Sequence, residues 1–509
     1  MVDQLVQPGA SARGGSPALD DDALSRFVRD GYLTVQTSLP RSFHADLRQR
    51  AGAILDREGN WGNNILPRLP VLRQVLDDPA VAGTLASLLG PTYVLHPHRY
   101  CHRNEPGSTA QRLHKDTRDF SGDHHLRHHR PRWLIAFYYP QDVSSEMGPT
   151  AIVPRSQYYL EQPDSAYWPE ALLCPPTGTV ALVHFGMWHR ATANLSAGPR
   201  YMFKFEFGRM DEPDLFSDSR APESSAVFDA DGSPAPHQAV WSHLRHWLRG
   251  RAGAPIQDPR FGTRSTSADG LRAGDVSIRR AAADGLAGDP TAALDALPAL
   301  VESLSDADEP LRLNAAYAIA AAGAPATDAA ARVLLSSDGL TRRYAAYALA
   351  ALGAPAVETL SSLATDPNDD VRITAIDALG EMGSPARSAA GVLGESLTSA
   401  NPWVRRHAAE ALGLLGTGAA PAVYRLAAVL ADDQPYVRMN AATALARIGP
   451  AAAEAVHDLV RALDDDDRYV SAWAAIALRR IGTPEATSAV LDHLLTTRWC
   501  ATTTTDNRY

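Results

Sequence analysis

The chain has 509 residues and a formal charge of −10, and the whole excess lies in residues 269–509, which hold 30 acidic and 20 basic side chains; this argues against a nucleic-acid or anionic-membrane partner. The length admits two to four domains, no run approaches the roughly 20 apolar residues of a membrane span, and the N-terminus has no apolar signal core. Three scattered cysteines (Cys101, Cys174 and Cys500) form neither a disulfide framework nor a zinc motif, so a reducing cytoplasm is the expected location.

Residues 1–19, polar and rich in Gly, Ser and Ala, read as a disordered tail. Leu24 to Tyr32 predicts a helix running into a Gly-aromatic turn. Five short strands follow. The first begins at Val94 and leads through a Pro-Gly-Ser turn at 106–108 to Gln111 and His114. The second is Trp133 to Tyr139, the third lies within 148–157, and the fourth is Thr179 to Phe185. The fifth, Arg200 to Phe207, alternates with period two. Short strands with polar residues at their ends fit a small β-barrel or a two-sheet jelly roll.

His114-Lys115-Asp116, then His189, then Arg200 is the chemically informative pattern. Two imidazoles and one carboxylate form the facial triad that holds non-haem Fe(II) and leaves half the coordination sphere open. An Arg eleven residues past the second His can grip a carboxylate with two parallel hydrogen bonds. Together they point to an iron oxygenase that uses 2-oxoglutarate and O2. Gln111 and Trp188 flank ligands and are candidates for contact with co-substrate or substrate. His96, His98 and Tyr100 share one face of their strand, and either line the pocket or are satisfied core residues. His124, His125, His128 and His129 match no defined metal spacing and read as a solvated loop, with a lid over the site or a second metal site as the alternative.

Over roughly residues 22–210 the chain resembles the phytanoyl-CoA dioxygenase family. The likeness rests on the helix into Gly31-Tyr32, on Leu88-Leu89-Gly90-Pro91, on His114-Lys115-Asp116, on Gly148 to Gln157, and on His189, Asn194 and Pro199-Arg200. The resemblance implies a double-stranded β-helix core (a jelly roll) with flanking helices. It implies Fe(II) on His114, Asp116 and His189, and Arg200 on the distal carboxylate of 2-oxoglutarate. Arg155 stands where the family usually has Gly, and Gln157 where it usually has His. Relatives that transfer halide replace the carboxylate with a small residue, so Asp116 favours hydroxylation or another oxidative outcome.

Residues 211–268 read as a linker carrying an amphipathic helix near 240–249. Residues 269–497 then repeat, with Ala-rich helices closing on Gly323, Gly353, Gly383, Gly416, Gly449 and Gly482 and a weaker first copy ending near Gly288. About seven copies predict an all-α solenoid, separately stable, that resembles short bacterial HEAT repeats. Arg312, Arg342, Arg372, Arg405 and Arg438 form a column read as inter-repeat ion pairs. Residues 498–509 are a second tail. The expectation is a multidomain Fe(II)/2-oxoglutarate dioxygenase, its oxygenase domain at 20–210, that hydroxylates or otherwise oxidises a C–H bond; the family resemblance implies a small-molecule substrate, such as a secondary metabolite. The repeats would dock a protein partner or shape access. The alternative is a HEAT-repeat scaffold whose oxygenase domain is degenerate.

Overall fold

Strand Arg200–Gly208 (β8) sends Arg200, Met202, Lys204 and Glu206 to one side and Tyr201, Phe203, Phe205 and Phe207 to the other. That alternation sets the architecture of the N-terminal half. The computed structural model describes residues 18–59, 62–116, 129–162, 168–213, 237–250, 268–336 and 338–496. Its other strands are Tyr32–Gln36 (β1), Val94–Asn104 (β2), Trp133–Tyr139 (β3), Thr150–Ile152 (β4), Ala171–Leu173 (β5), Thr179–His184 (β6) and His189–Ala191 (β7). One antiparallel sheet has the order β1-β6-β3-β8-β2, and a smaller one has β5-β4-β7. The two-sheet jelly roll expected from the sequence is present, with flanking helices on one side.

The outer face of the large sheet buries Phe203, Phe205, Phe207, Leu134, Ala136 and Leu182 against Leu47, Leu85, Leu88 and Leu89 of helices Arg41–Glu58 and Pro79–Leu89. Each large apolar side chain so buried contributes about 1.5–3 kcal/mol. The inner face closes on the small sheet through Ile135, Phe137, Ala181, Val183 and Met202 against Ile152 and Leu173. Charged residues on the inner face of β8 therefore sit inside the β core.

The repeats form seven helix pairs. Their longer members run from Val276–Leu286 through Glu309–Ala321, Gly339–Leu352, Asp369–Met382, Pro402–Leu414, Pro435–Ile448 and Arg468–Ile481. Gly323, Gly353, Gly383, Gly416, Gly449 and Gly482 all have positive φ, which explains the recurrent glycine at these helix ends. The Arg column is a ladder: Arg405 reaches Asp432 at 2.6 Å, Arg438 reaches Asp465 at 2.7 Å and Arg342 reaches Asp370 at 3.2 Å, each in the next repeat. Arg372 differs and pairs with Asp369 on its own helix.

The longer helices face the β domain. His129 stacks on Tyr347 with ring centres 4.2 Å apart, so this last residue of the histidine cluster belongs to the contact between the halves; His124, His125 and His128 lie outside the described residues. Arg132 is buried between Glu212 at 2.9 Å and Glu381 at 2.5 Å. Trp133 meets Trp473 edge-on at 6.0 Å. The helix Gln238–Leu248 bridges both halves: Trp247 lies under Arg130, Arg132 and Arg209, while the backbone N–H of Ala239 donates to Asp284 at 3.1 Å. No helix among the described residues is long and apolar enough to cross a membrane.

Candidate metal centre

His114 and His189 form an isolated antiparallel bridge. The N–H of His114 donates to the carbonyl of His189 at 3.0 Å, and the N–H of His189 donates back at 2.9 Å. Backbone pairing thus brings together two side chains 75 positions apart. His114 Nδ1 donates to the carbonyl of Arg112 at 2.9 Å and His189 Nδ1 to that of Met187 at 3.1 Å. Both bonds fix the tautomer whose free lone pair is on Nε2, the form a metal requires.

Those Nε2 atoms face one carboxylate. His114 Nε2 lies 3.8 Å from Asp116 Oδ1, and His189 Nε2 lies 3.7 Å from Asp116 Oδ2. The three ligand atoms all fall within 4.8 Å of one another, which suits one ion. Burial alone would raise the Asp116 carboxyl, but Lys204, His189 and His114 outweigh it and hold it down to about 2. Burial depresses His189 and keeps it neutral. Lys115, between the two ligands, turns the other way, and its Nζ donates to the carbonyls of Ser156 at 2.9 Å and Tyr159 at 2.6 Å.

Arg200 is buried at the start of β8. Its Nε and Nη2 both donate to the carbonyl of Gly148, at 3.1 and 2.7 Å. Its Nη1 is buried without a partner among the described residues. A buried guanidinium nitrogen left unsatisfied calls for an anionic acceptor.

Residues 27–202 match the family model described as phytanoyl-CoA dioxygenase (PhyH). This segment is a phytanoyl-CoA dioxygenase domain. HEAT-repeat models match 327–413, 357–435, 390–456 and 424–501. No curated protein matches the chain. Solved structures similar to it include the non-heme alpha-ketoglutarate dependent carbocyclase SnoK from nogalamycin biosynthesis, at 21% identity over 39% of this chain and 88% of that one, with a TM-score of 0.33. EctD from S. alaskensis with bound Fe has 17% identity over 40% of this chain and 82% of its own, with a TM-score of 0.34. HygX from Streptomyces hygroscopicus with nickel and 2-oxoglutarate bound has 19% identity over 38% and 88%, with a TM-score of 0.30.

Other expected contacts of the dioxygenase domain divide. Gln111 is exposed, and its side-chain oxygen accepts from the N–H of Ala191 at 3.0 Å. Trp188 is buried against Lys115, 5.5 Å from ring centre to Nζ. His96, His98 and Tyr100 meet the last repeats: His96 stacks on Tyr469 at 5.7 Å, and His98 Nδ1 is 2.9 Å from the Tyr469 hydroxyl. Arg155 has φ +70, the left-handed region that suits the glycine usual in the family.

Sequence reading passed over His102, Lys204 and Glu206. Lys204 Nζ donates to Asp116 Oδ2 at 2.7 Å and lies 3.4 Å from Glu206 Oε1. Burial brings His102 down to about 3, with Lys204 and Arg200 adding to the effect, so it is a neutral neighbour of the site. For Lys204 and Glu206 the signal is in the sequence: two charges at alternate positions of a strand, flanked by the aromatic Phe203, Phe205 and Phe207.

Proposed function

We propose that this chain oxidises a C–H bond of a small molecule, with His114, Asp116 and His189 holding Fe(II) and Arg200 holding the distal carboxylate of 2-oxoglutarate. The observation that carries this reading is the convergence of two Nε2 lone pairs and one ionised carboxylate within 4.8 Å. Arg200 Nη1, without a partner among the described residues, supports the co-substrate assignment. When bound there, Fe(II) with O2 and 2-oxoglutarate supplies an oxidant strong enough to remove hydrogen from carbon, with succinate and CO2 as co-products.

The protein residues do the rest. Nδ1 donation from both histidines fixes the ligand geometry in advance, so little reorganisation accompanies metal binding. Arg200, tied by two of its nitrogens to Gly148, presents the third in a set direction. Phe137, Ile152 and Met202 pack close by and exclude water from that end of the core. Lys204 holds Asp116 as an anion. The intact ligand set weighs against a degenerate, scaffold-only domain. We read the repeats as shaping substrate access, because their inner helices cover the end of the core where β2 and β3 meet Tyr469 and Trp473.

The test is succinate release from 2-oxoglutarate by the full chain with and without Fe(II). Iron-dependent release, even without the natural substrate, is the expected result. Metal-replete protein that neither binds nor consumes 2-oxoglutarate would overturn the reading.

A further inference from the structure

A cavity of about 60 Å3 lies where the β domain meets the solenoid. His96 and Trp133 form its β-domain wall, and Glu410, Asn440, Arg447 and Trp473 belong to its solenoid wall. Asn440, Thr443 and Arg447 are spaced three and four apart on helix Pro435–Ile448, so one helix face supplies all three.

Arg447 is the unusual member. It is 5% exposed, and among the described residues no side chain or carbonyl accepts a hydrogen bond from it. Its direct neighbour is the ring of Trp133, 6.0 Å from the guanidinium carbon. Two neighbouring arginines are paired, Arg132 with Glu212 and Glu381 and Arg480 with Asp211 at 2.9 Å. Glu410, on the same wall, pairs with Arg406 at 3.8 Å. Arg447 is thus, among the described residues, a buried cation without a hydrogen bond or ion pair, facing a partly open cavity, with the Glu410 carboxylate of the same lining as its strongest attraction. Burial holds it down to about 10. Such a group is stable only with water or an anion beside it.

A chain of polar side chains runs from the cavity wall to the candidate iron site. His96 Nδ1 lies 3.2 Å from Glu206 Oε2, Glu206 Oε1 lies 3.4 Å from Lys204 Nζ, and Lys204 Nζ lies 2.7 Å from Asp116 Oδ2. Three polar contacts separate the cavity wall from a candidate metal ligand. Trp133, Trp473 and His96 give the space an aromatic side, with His96 5.4 Å from Trp133 and 5.7 Å from Trp473.

We propose that this cavity is a carboxylate subsite, in which Arg447 of the solenoid anchors the acid group of a small molecule whose apolar body lies along Trp133 and Trp473. That this molecule is the one oxidised at His114, Asp116 and His189 rests on the function proposed above; the subsite itself does not. The repeats would then take part in substrate recognition as well as covering the core.

The test uses the metal-free full chain, so it is independent of iron and of 2-oxoglutarate. Hexanoate and its neutral isostere hexanamide are titrated at constant sodium chloride, read by tryptophan fluorescence and by thermal melting. Wild-type protein should respond saturably to hexanoate and at least about tenfold more weakly to hexanamide, because a charge-assisted pair is lost. Arg447→Gln should abolish that preference, and Arg447→Lys should keep part of it. Arg200→Gln should leave the hexanoate response unchanged. Equal binding of acid and amide by wild type would show that no charge pair forms with Arg447, and no response to either would show that water alone fills the cavity; each would overturn the proposal, even if Arg447→Gln failed to fold. Loss of the response in Arg200→Gln with retention in Arg447→Gln would overturn it too, by moving the carboxylate to the co-substrate site.

Discussion

Lys204 Nζ lies 2.7 Å from Asp116 Oδ2, so the carboxylate expected to bind metal is already held by a buried ammonium. The contact orients Asp116 and keeps it ionised. Outer partners of this kind typically change metal affinity by about 10–100-fold when removed. Lys204→Met should therefore weaken Fe(II) binding by that order in an anaerobic titration. Tighter binding would mean that Lys204 competes with the metal instead of preparing its ligand.

Arg200 makes a second, separable prediction. Arg200→Ala should raise the 2-oxoglutarate KM with an apparent loss of about 2–5 kcal/mol, the usual cost of truncating one partner of a buried charge pair. Arg200→Lys should rescue only part, since an ammonium cannot reproduce both the Gly148 bonds and the outward nitrogen. Steady-state 2-oxoglutarate consumption measures both. An unchanged KM in Arg200→Ala would put the carboxylate elsewhere.

The junction between the halves should be sensitive to acid through His237. Burial holds this imidazole down to about 4. Its neutral form suits its partners, with Nδ1 donating to Asn314 Oδ1 and Nε2 accepting from the Tyr159 hydroxyl, both at 2.5 Å. The Asn314 bond and Asp308 favour the charged form, but burial outweighs them, with Arg280 and Arg155 adding to its effect. Between about pH 6.5 and 4 the unfolded chain binds a proton that the folded chain does not, so stability falls as pH falls through that window. The loss is on the order of 2–3 kcal/mol at its lower end. Denaturant melts of wild type and His237→Gln should differ in slope against pH only there.

Arg132 carries charge across the same junction. Arg132→Met would leave Glu212 and Glu381 buried without their shared cation, and should cost about 3–5 kcal/mol of stability. Adding Glu212→Gln and Glu381→Gln should recover much of it. A chain ending at Gly250 loses Glu381, Tyr347 and Trp473 together, and should melt at lower temperature than the full chain. Equal melting would show that the β domain is thermally independent of the repeats.

Much of this organisation is legible in the sequence because it is periodic or local. Alternation from Arg200 to Phe207 gives a strand with one aromatic face, and the helix-closing glycines mark the solenoid because each needs positive φ. His114, Asp116, His189 and Arg200 stand out by residue type and spacing. What sequence spacing could not show is contact between distant segments. His98 and Tyr469 are 371 positions apart, and His129 and Tyr317 are 188 apart; no local pattern pairs them. The same holds for Lys204: its charge was visible, but its partner, Asp116, was fixed only when β8 closed over the small sheet.

The most direct test of the central claim is the stoichiometry of Fe(II) binding to the full chain under anaerobic conditions, compared with His114→Ala, Asp116→Ala and His189→Ala. The account predicts one tight Fe(II) per wild-type chain and loss of that site in all three variants, each with an unchanged circular-dichroism spectrum. Wild-type-like iron binding by any folded variant would contradict it, because the three ligand atoms that converge within 4.8 Å would then not be the metal's ligands.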